Sequence, residues 1–76
     1  MRLIYDAELD VAYLRVDDDA QTALPAHSGE AATPAGGAYV SAEYDADGYF
    51  VGVEILGAHR VLSPAVLADA ERLARP

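Results

Sequence analysis

Apolar residues alternate with polar ones along Ala38–Gly57, on both sides of the acidic turn Asp45-Ala46-Asp47-Gly48. Asp and Gly at these positions are typical of turns that close a β-hairpin. Placing Tyr44 opposite Tyr49 aligns apolar residues on one face of the two arms. The further pairs are Ala42 with Val51, Val40 with Val53 and Ala38 with Ile55. A shift of one residue would exchange the two faces, so the pattern predicts a long hairpin with a defined register.

A second alternating stretch, at the start of the chain, predicts a shorter hairpin. Its arms are Arg2–Asp6 and Val11–Asp17, joined through residues 6–10. One face carries Ile4, Ala12, Leu14 and Val16, and the other carries Leu3, Tyr5, Val11, Tyr13 and Arg15. The second set is apolar enough to be covered by a helix or by another subunit. Asp17-Asp18-Asp19 ends the second arm, because adjacent carboxylates repel one another and have poor strand propensity.

The segment between the two hairpins is rich in turn-forming residues. Ala20–Leu24 is compatible with a short strand, whereas proline, glycine and serine interrupt Pro25–Gly37. We therefore expect Pro25–Gly37 to be a mobile loop that carries a short edge strand around Glu30–Thr33.

The C-terminal part of the chain has helical signals. Ala58–Leu62 is expected to form a turn or a short helical step after the second hairpin. Ser63-Pro64 then provides a helix cap and a proline at the first helical position. A helix of about ten residues follows, too short to be stable alone. Its apolar face would carry Val66, Leu67, Ala70, Leu73 and Ala74, with Arg72 and Arg75 near its end.

These elements predict one α+β domain over residues 1–76. Its antiparallel, twisted sheet has four to five strands, made from two β-hairpins, and a short C-terminal helix packs on it. A chain of 76 residues buries little surface, and without cysteine it has no disulfide to compensate. Self-association is the remaining common remedy, so we expect a homodimer.

The charge balance excludes several partner classes. Thirteen acidic residues stand against five basic ones, which gives a formal net charge of −8. Such a chain repels phosphate backbones, so we expect no direct nucleic-acid binding. No apolar run is long enough for a membrane span, and the N-terminus has no signal-peptide pattern. The expected location is cytoplasmic, and the acidic charge is complementary to a basic protein partner.

No arrangement of residues indicates catalysis, a cofactor or a metal site. The turn that begins at Asp45 resembles the start of a calcium loop, but its twelfth position is Leu56 rather than the required glutamate. Consecutive carboxylates such as Asp17 to Asp19 seldom converge on one ion. His27 and His59 have neither helical ligand spacing nor a nucleophile motif beside them. We therefore expect a non-enzymatic protein.

Two sets of side chains on the second face of the sheet have expected structural or interface roles. Glu43 and Glu54 share the second face of the long hairpin, where an ion pair of Glu54 with Arg15 or Arg60, or a hydrogen bond to Tyr39, is the expected role. The aromatic residues predicted to share the sheet's second face are Tyr5, Tyr13, Tyr39 and Phe50. Aromatic side chains are enriched at interfaces, and packing under the helix explains them equally well.

The motifs along the chain resemble a small bacterial family of unknown function, DUF2283. The resemblance is carried by Ile4-Tyr5-Asp6, by Asp10, by Tyr13–Val16 and by two segments of the long hairpin. Those segments are Tyr44-Asp45-Ala46-Asp47-Gly48 and Val51–Ala58. The family has no established catalytic residues to transfer. It implies, by analogy alone, an antitoxin-like or regulatory partner of a basic protein.

From these observations the expected function is that of a small, homodimeric protein-interaction module. The alternative is a domain that binds a small ligand or a metal ion with its acidic loop ends.

Overall fold

A computed structural model describes residues 1–16 and 25–73 and shows a mixed six-stranded sheet with two short helices. The strands are β1 (Arg2–Asp6), β2 (Val11–Arg15), β3 (His27–Ala32), β4 (Tyr39–Tyr44), β5 (Phe50–Leu56) and β6 (Glu71–Arg72). The helices are α1 (Ala58–Val61) and α2 (Pro64–Asp69). The spatial order is β3-β4-β5-β2-β1-β6, and only β6 runs parallel to its neighbour. The predicted α+β class is confirmed, but the sheet has more strands than predicted and is not purely antiparallel.

The long hairpin, β4 and β5, is confirmed, although its pairing differs from the prediction by two residues. Val40 pairs with Ile55 and Ala42 with Val53, and an irregularity after Glu43 places Tyr44 opposite Phe50. The cause lies in the turn, since the Asp45 side chain accepts hydrogen bonds from the N–H groups of residues 47 and 49. Tyr49 therefore belongs to the turn and not to the ladder. Because the shift is an even number of residues, the predicted division into two faces survives.

The first hairpin has a different face assignment from the predicted one. Leu3 pairs with Leu14 and Tyr5 with Ala12, so β1 lies one residue away from the predicted alignment. The turn after Asp6 explains the difference. The Asp6 carboxylate accepts hydrogen bonds from the backbone N–H groups of residues 8 and 9, and these bonds close the turn over residues 7–10. As a result, Leu3 and Tyr5 lie on the same face as Ala12 and Leu14, whereas the sequence pattern had separated them.

The core lies between this face of the sheet and the two helices. Its centre consists of small or branched residues, Ala12, Ile55 and Ala58, which are almost fully buried. The hydrophobic residues packed around them are Leu3, Tyr5, Val40, Val53, Val61, Leu62 and Leu67. Gly57, at φ 72°, turns the chain from β5 directly into α1. The predicted short helical step after the long hairpin is therefore confirmed.

The second helix begins as predicted and ends earlier. The Ser63 hydroxyl accepts the Val66 N–H group at 3.3 Å, and Pro64 occupies the first turn. The helix ends at Asp69, because the next residues extend and pair with the edge of β1. A hydrogen bond of 3.1 Å from the Leu73 N–H group to the Tyr5 carbonyl continues this pairing. The predicted ten-residue helix was wrong, and its predicted positions 74 and 75 lie outside the described residues.

The predicted loop over Pro25–Gly37 contains a full edge strand. β3 pairs with β4 along its whole length, from His27 with Tyr44 to Ala32 with Tyr39. It begins earlier than the expected strand around Glu30–Thr33, because the open edge of β4 supplies backbone partners even to small, exposed residues. The expected strand Ala20–Leu24 and the acidic run at positions 17–19 lie outside the described residues.

Candidate functional site

The sheet face turned away from the helices is here called the open face. Cross-strand partners point to the same side of a sheet, so the strand registers arrange this face in three rows. The first row is Ser28, Glu43, Gly52, Arg15 and Arg2. The middle row is Glu30, Ser41, Glu54, Tyr13 and Ile4. The third row is Ala32, Tyr39, Leu56, Val11 and Asp6.

The open face carries partly exposed apolar side chains in its middle and third rows. Ile4, Tyr13 and Leu56 are neither buried nor fully exposed, and Tyr39 is 40% exposed. The helical region packs on the opposite face through Val61, Leu62 and Leu67. Within residues 1–16 and 25–73, then, the two helices leave these apolar groups accessible to a partner.

Charges on the open face are unevenly distributed. The acidic half, on β3, β4 and β5, carries Glu30, Glu43 and Glu54. The other half carries Arg15 and Arg2 but also the buried Asp6, and Glu71 of β6 lies beside Ile4. Arg2 also forms an ion pair with Glu71 of β6, with 2.6 Å between Nε and Oε2. Arg15 lies nearer to the acidic half than Arg2 does, because β2 pairs directly with β5.

Gly52 forms the floor of a notch between these halves. It lies in the first row between Glu43 and Arg15, and the lining also includes Tyr13 and Pro25. Partial burial raises the pKa of the Glu43 carboxyl, the charge of Glu54 adds to the rise, and Arg15 opposes it. The Glu43 carboxylate is thus held in the notch at some cost and would gain from a further cation.

The four aromatic residues predicted as interface residues do not all share this face. Tyr13 and Tyr39 lie on it. The placement of Tyr5 was wrong, because the register of the first hairpin puts it on the covered face against the core. Phe50 pairs with Tyr44 beyond the strand irregularity, with ring centroids 5.8 Å apart. An interface role for these residues stays a prediction.

A second cluster of polar groups surrounds Asp10, in the turn between β1 and β2. One carboxylate oxygen of Asp10 accepts two hydrogen bonds, from the Tyr5 hydroxyl at 2.8 Å and from the backbone N–H group of His59 at 3.0 Å. The other carboxylate oxygen contacts Nδ1 of the His59 ring. The Asp10 carbonyl accepts the N–H groups of Gly57 and Ala58 at 3.0 and 2.9 Å. A single residue therefore fastens the first turn to the start of α1.

The chemistry of this cluster is structural. In a nucleophilic site the hydroxyl would donate to the imidazole, which would take its proton. Here the Tyr5 hydroxyl donates to the carboxylate instead, and the Arg72 guanidinium lies 5.0 Å from the centre of the Tyr5 ring. The hydrogen bond to Asp10 raises the pKa of the Tyr5 hydroxyl, and partial burial adds to the rise. The arrangement keeps the phenol protonated and does not activate it.

Acid is expected to weaken this cluster. Partial burial is the largest single influence on the pKa of Asp10 and raises it, but the hydrogen bonds from His59 and Tyr5 together hold the pKa below its ordinary value. The resulting stability is complete above the unfolded-state pKa of about 3.9 and is lost as the pH falls through the lower, folded-state pKa. Urea unfolding between pH 5 and 2 should therefore show a smaller acid-induced loss in Asp10→Asn than in the wild type. Equal losses in both proteins would contradict this assignment.

The described residues contain no group of three or more His, Cys, Asp or Glu side chains placed to hold a metal ion. The Asp45 carboxylate, considered above as the start of a calcium loop, is engaged with the N–H groups of its own turn. Sequence reasoning treated Asp10 as a residue of the turn and of the family motif, and gave Gly52 no special role. A lone glycine inside a strand pattern was the available signal for Gly52, since it indicates a bulge or a close backbone approach.

Comparisons with known proteins identify a family but no characterised relative. A family model described as "Protein of unknown function (DUF2283)" matches residues 2–59, which include the Asp10 cluster and the Gly52 notch. No curated protein and no solved structure matches the chain. Among the described residues, no helix has the length and apolar character needed to cross a membrane.

Proposed function

The chain belongs to the DUF2283 family, and on that premise we propose that it is a non-enzymatic interaction module that pairs with a second copy of itself through the open face. The observation that carries the proposal is the accessible apolar centre of this face, formed by Ile4, Tyr13, Leu56 and Tyr39. A sheet with one covered face gains stability when its other apolar surface is buried as well.

A second copy suits this face because the face carries charges of both signs. An isologous dimer brings one patch against its own copy, so a patch with both signs can satisfy itself. A purely basic partner would match the acidic half and meet Arg15 on the other. The net charge of −8 supports a basic protein as a further partner of the dimer, in an antitoxin-like or regulatory role.

Sedimentation equilibrium at micromolar concentration tests the dimer. We expect a mass near twice 8.0 kDa for the wild type. Tyr39→Ser should weaken association about tenfold or more, because it removes an aromatic side chain from the apolar centre. Tyr49→Ser is the matched control, since Tyr49 is 71% exposed in the hairpin turn. A monomeric wild type, or equal effects of the two variants, would overturn the proposal.

A further inference from the structure

We propose that the outer edge of β3 binds an extended basic segment of another protein, which adds to the sheet as a further strand. This inference rests on the basic partner named in the proposed function, gives that partner a place on the molecule, and does not need the dimer. It is carried by the open backbone edge of β3 and by the carboxylates that lie beside it.

The edge of β3 is long, regular and unprotected. β3 is the last strand in the sheet order, and all six of its side chains are exposed. Its pairing with β4 runs from His27 to Ala32 without a bulge. Proteins commonly block such an edge with proline, lysine, a bulge or a covering segment, and the sequence of β3 has neither proline nor lysine. Within residues 1–16 and 25–73, the outward N–H and C=O groups of β3 therefore have no strand partner.

The opposite edge of the sheet is covered. There β6 pairs with β1, Ile4 with Glu71 and Tyr5 with Arg72, and the Leu73 N–H group continues the pairing. β6 has only two residues, so it covers the edge of β1 and offers little edge of its own. Among the described strands, β3 therefore offers a partner strand the longest free edge.

Charge decides which kind of strand suits this edge. Glu30 lies near the middle of β3 and Glu43 on the neighbouring strand, both on the open face. Neither takes part in a salt bridge among the residues that the structure describes. Arg15 lies on β2, three strands inward, and the Arg60 guanidinium, beyond the end of β3, donates to the Gly36 carbonyl at 2.7 Å. A basic strand would therefore meet carboxylates at this edge, whereas a second copy would bring its own Glu30 and a net charge of −8.

The small side chain of Ser28 makes the Glu43 carboxylate reachable from outside the sheet. Ser28 pairs with Glu43 and so lies between that carboxylate and an added strand. Neighbouring strands lie about 4.8 Å apart, so an arginine opposite Ser28 would extend over it toward the glutamate on β4. Partial burial and the charge of Glu54 raise the pKa of the Glu43 carboxyl, so its ionised form gains from a further cation. A second basic residue, two positions along the added strand, would lie opposite Glu30.

Peptide binding tests the edge, with hydrogen exchange of backbone N–H groups as the readout of position. The probe is a synthetic peptide of about nine residues in which arginine alternates with valine, added to the full chain. We expect the outward N–H groups of β3 to exchange about tenfold more slowly with peptide bound, while those of β6 keep their rates. The same peptide with N-methylated backbone nitrogens is the control, since it keeps the charge and loses the donors of a strand. Equal binding of the two peptides, or protection confined to other parts of the chain, would overturn the proposal.

Charge variants of the chain test the side-chain contacts, with the peptide dissociation constant measured by titration calorimetry. Glu30→Lys should raise this constant about fivefold or more, because a like charge then faces an arginine of the peptide. Asp69→Lys, on exposed α2, makes the same change of charge away from the edge and should have a smaller effect. Glu43→Gln should weaken binding about threefold, whereas Glu54→Gln, one strand farther inward, should not weaken it. Equal effects within either pair of variants would contradict the proposal.

The outcomes separate this edge from the proposed dimer. A monomeric wild type that still binds the peptide at β3 overturns the open-face dimer and supports the edge. A dimer whose β3 N–H groups gain no protection from the peptide overturns the edge alone. Protection of β3 that rises with protein concentration in the absence of peptide would place a second copy on the edge, and would likewise overturn the proposal.

Discussion

Replacing Gly52 with alanine is expected to lower the free energy of unfolding by about 3 kcal/mol, the upper range for overpacking. A Cβ atom at this position would lie 2.5 Å from the backbone carbonyl oxygen of Leu14 and 3.5 Å from the Cα atom of Arg15. The obstacle is backbone, so it cannot rotate away as a side chain could. β2 and β5, the central pair of the sheet, would have to separate locally.

Gly29→Ala is the matched control for this prediction. Gly29 also lies within a strand, β3, but nothing lies within 4 Å of the position that a Cβ atom would take. Its replacement should leave stability unchanged or raise it slightly, because alanine restricts the unfolded chain. Urea unfolding monitored by circular dichroism gives both values. Similar midpoints for the two variants would refute the steric argument.

Replacing Asp10 with alanine should lower the free energy of unfolding by about 2 kcal/mol or more. The Tyr5 hydroxyl and the His59 N–H group would lose their shared acceptor. Alanine is also poorly suited to the backbone at this position, where φ is 54°.

Asn in place of Asp10 separates these causes. Asparagine keeps an acceptor oxygen and tolerates the left-handed backbone, so Asp10→Asn should retain most of the stability that Asp10→Ala loses. Thermal unfolding at pH 7 compares the two variants directly. If they lost the same stability, the charge of Asp10, and not its geometry, would carry the effect.

The long hairpin was predictable because its two faces differ in polarity and its turn has a standard composition. Its exact pairing was not, because the Asp45 side chain draws Tyr49 into the turn and a residue is then left over in β5. Alternation fixes which face a residue occupies, but it is insensitive to a shift by two residues.

The first hairpin shows the opposite weakness. Both faces of β1 are apolar, with Leu3 and Tyr5 on one and Ile4 on the other, so alternation could not assign them to β2. The Asp6 side chain, which accepts two N–H groups in the turn, decides the alignment. The sequence pattern predicted β3 too short and did not predict β6, for a related reason. Their residues have little strand propensity, and the edges of β4 and β1 supply the pairing.

The open face illustrates how far sequence reasoning reaches toward a site. Tyr13, Tyr39 and the two glutamates of the long hairpin were predicted to share a face, and they do. The position of Arg15 beside the acidic half of that face depends on the strand order, which brings β2 beside β5. No pattern within either hairpin contains that information.

The pairing of β6 with β1 has a consequence for how the protein is made. It joins Arg2 to Glu71 across 69 positions of the sequence, a far longer loop than either hairpin closes. Contacts at such separation form slowly because the loop must close before they stabilise anything. During synthesis the β1 edge therefore stays unpaired on this side until residue 72 has left the ribosome.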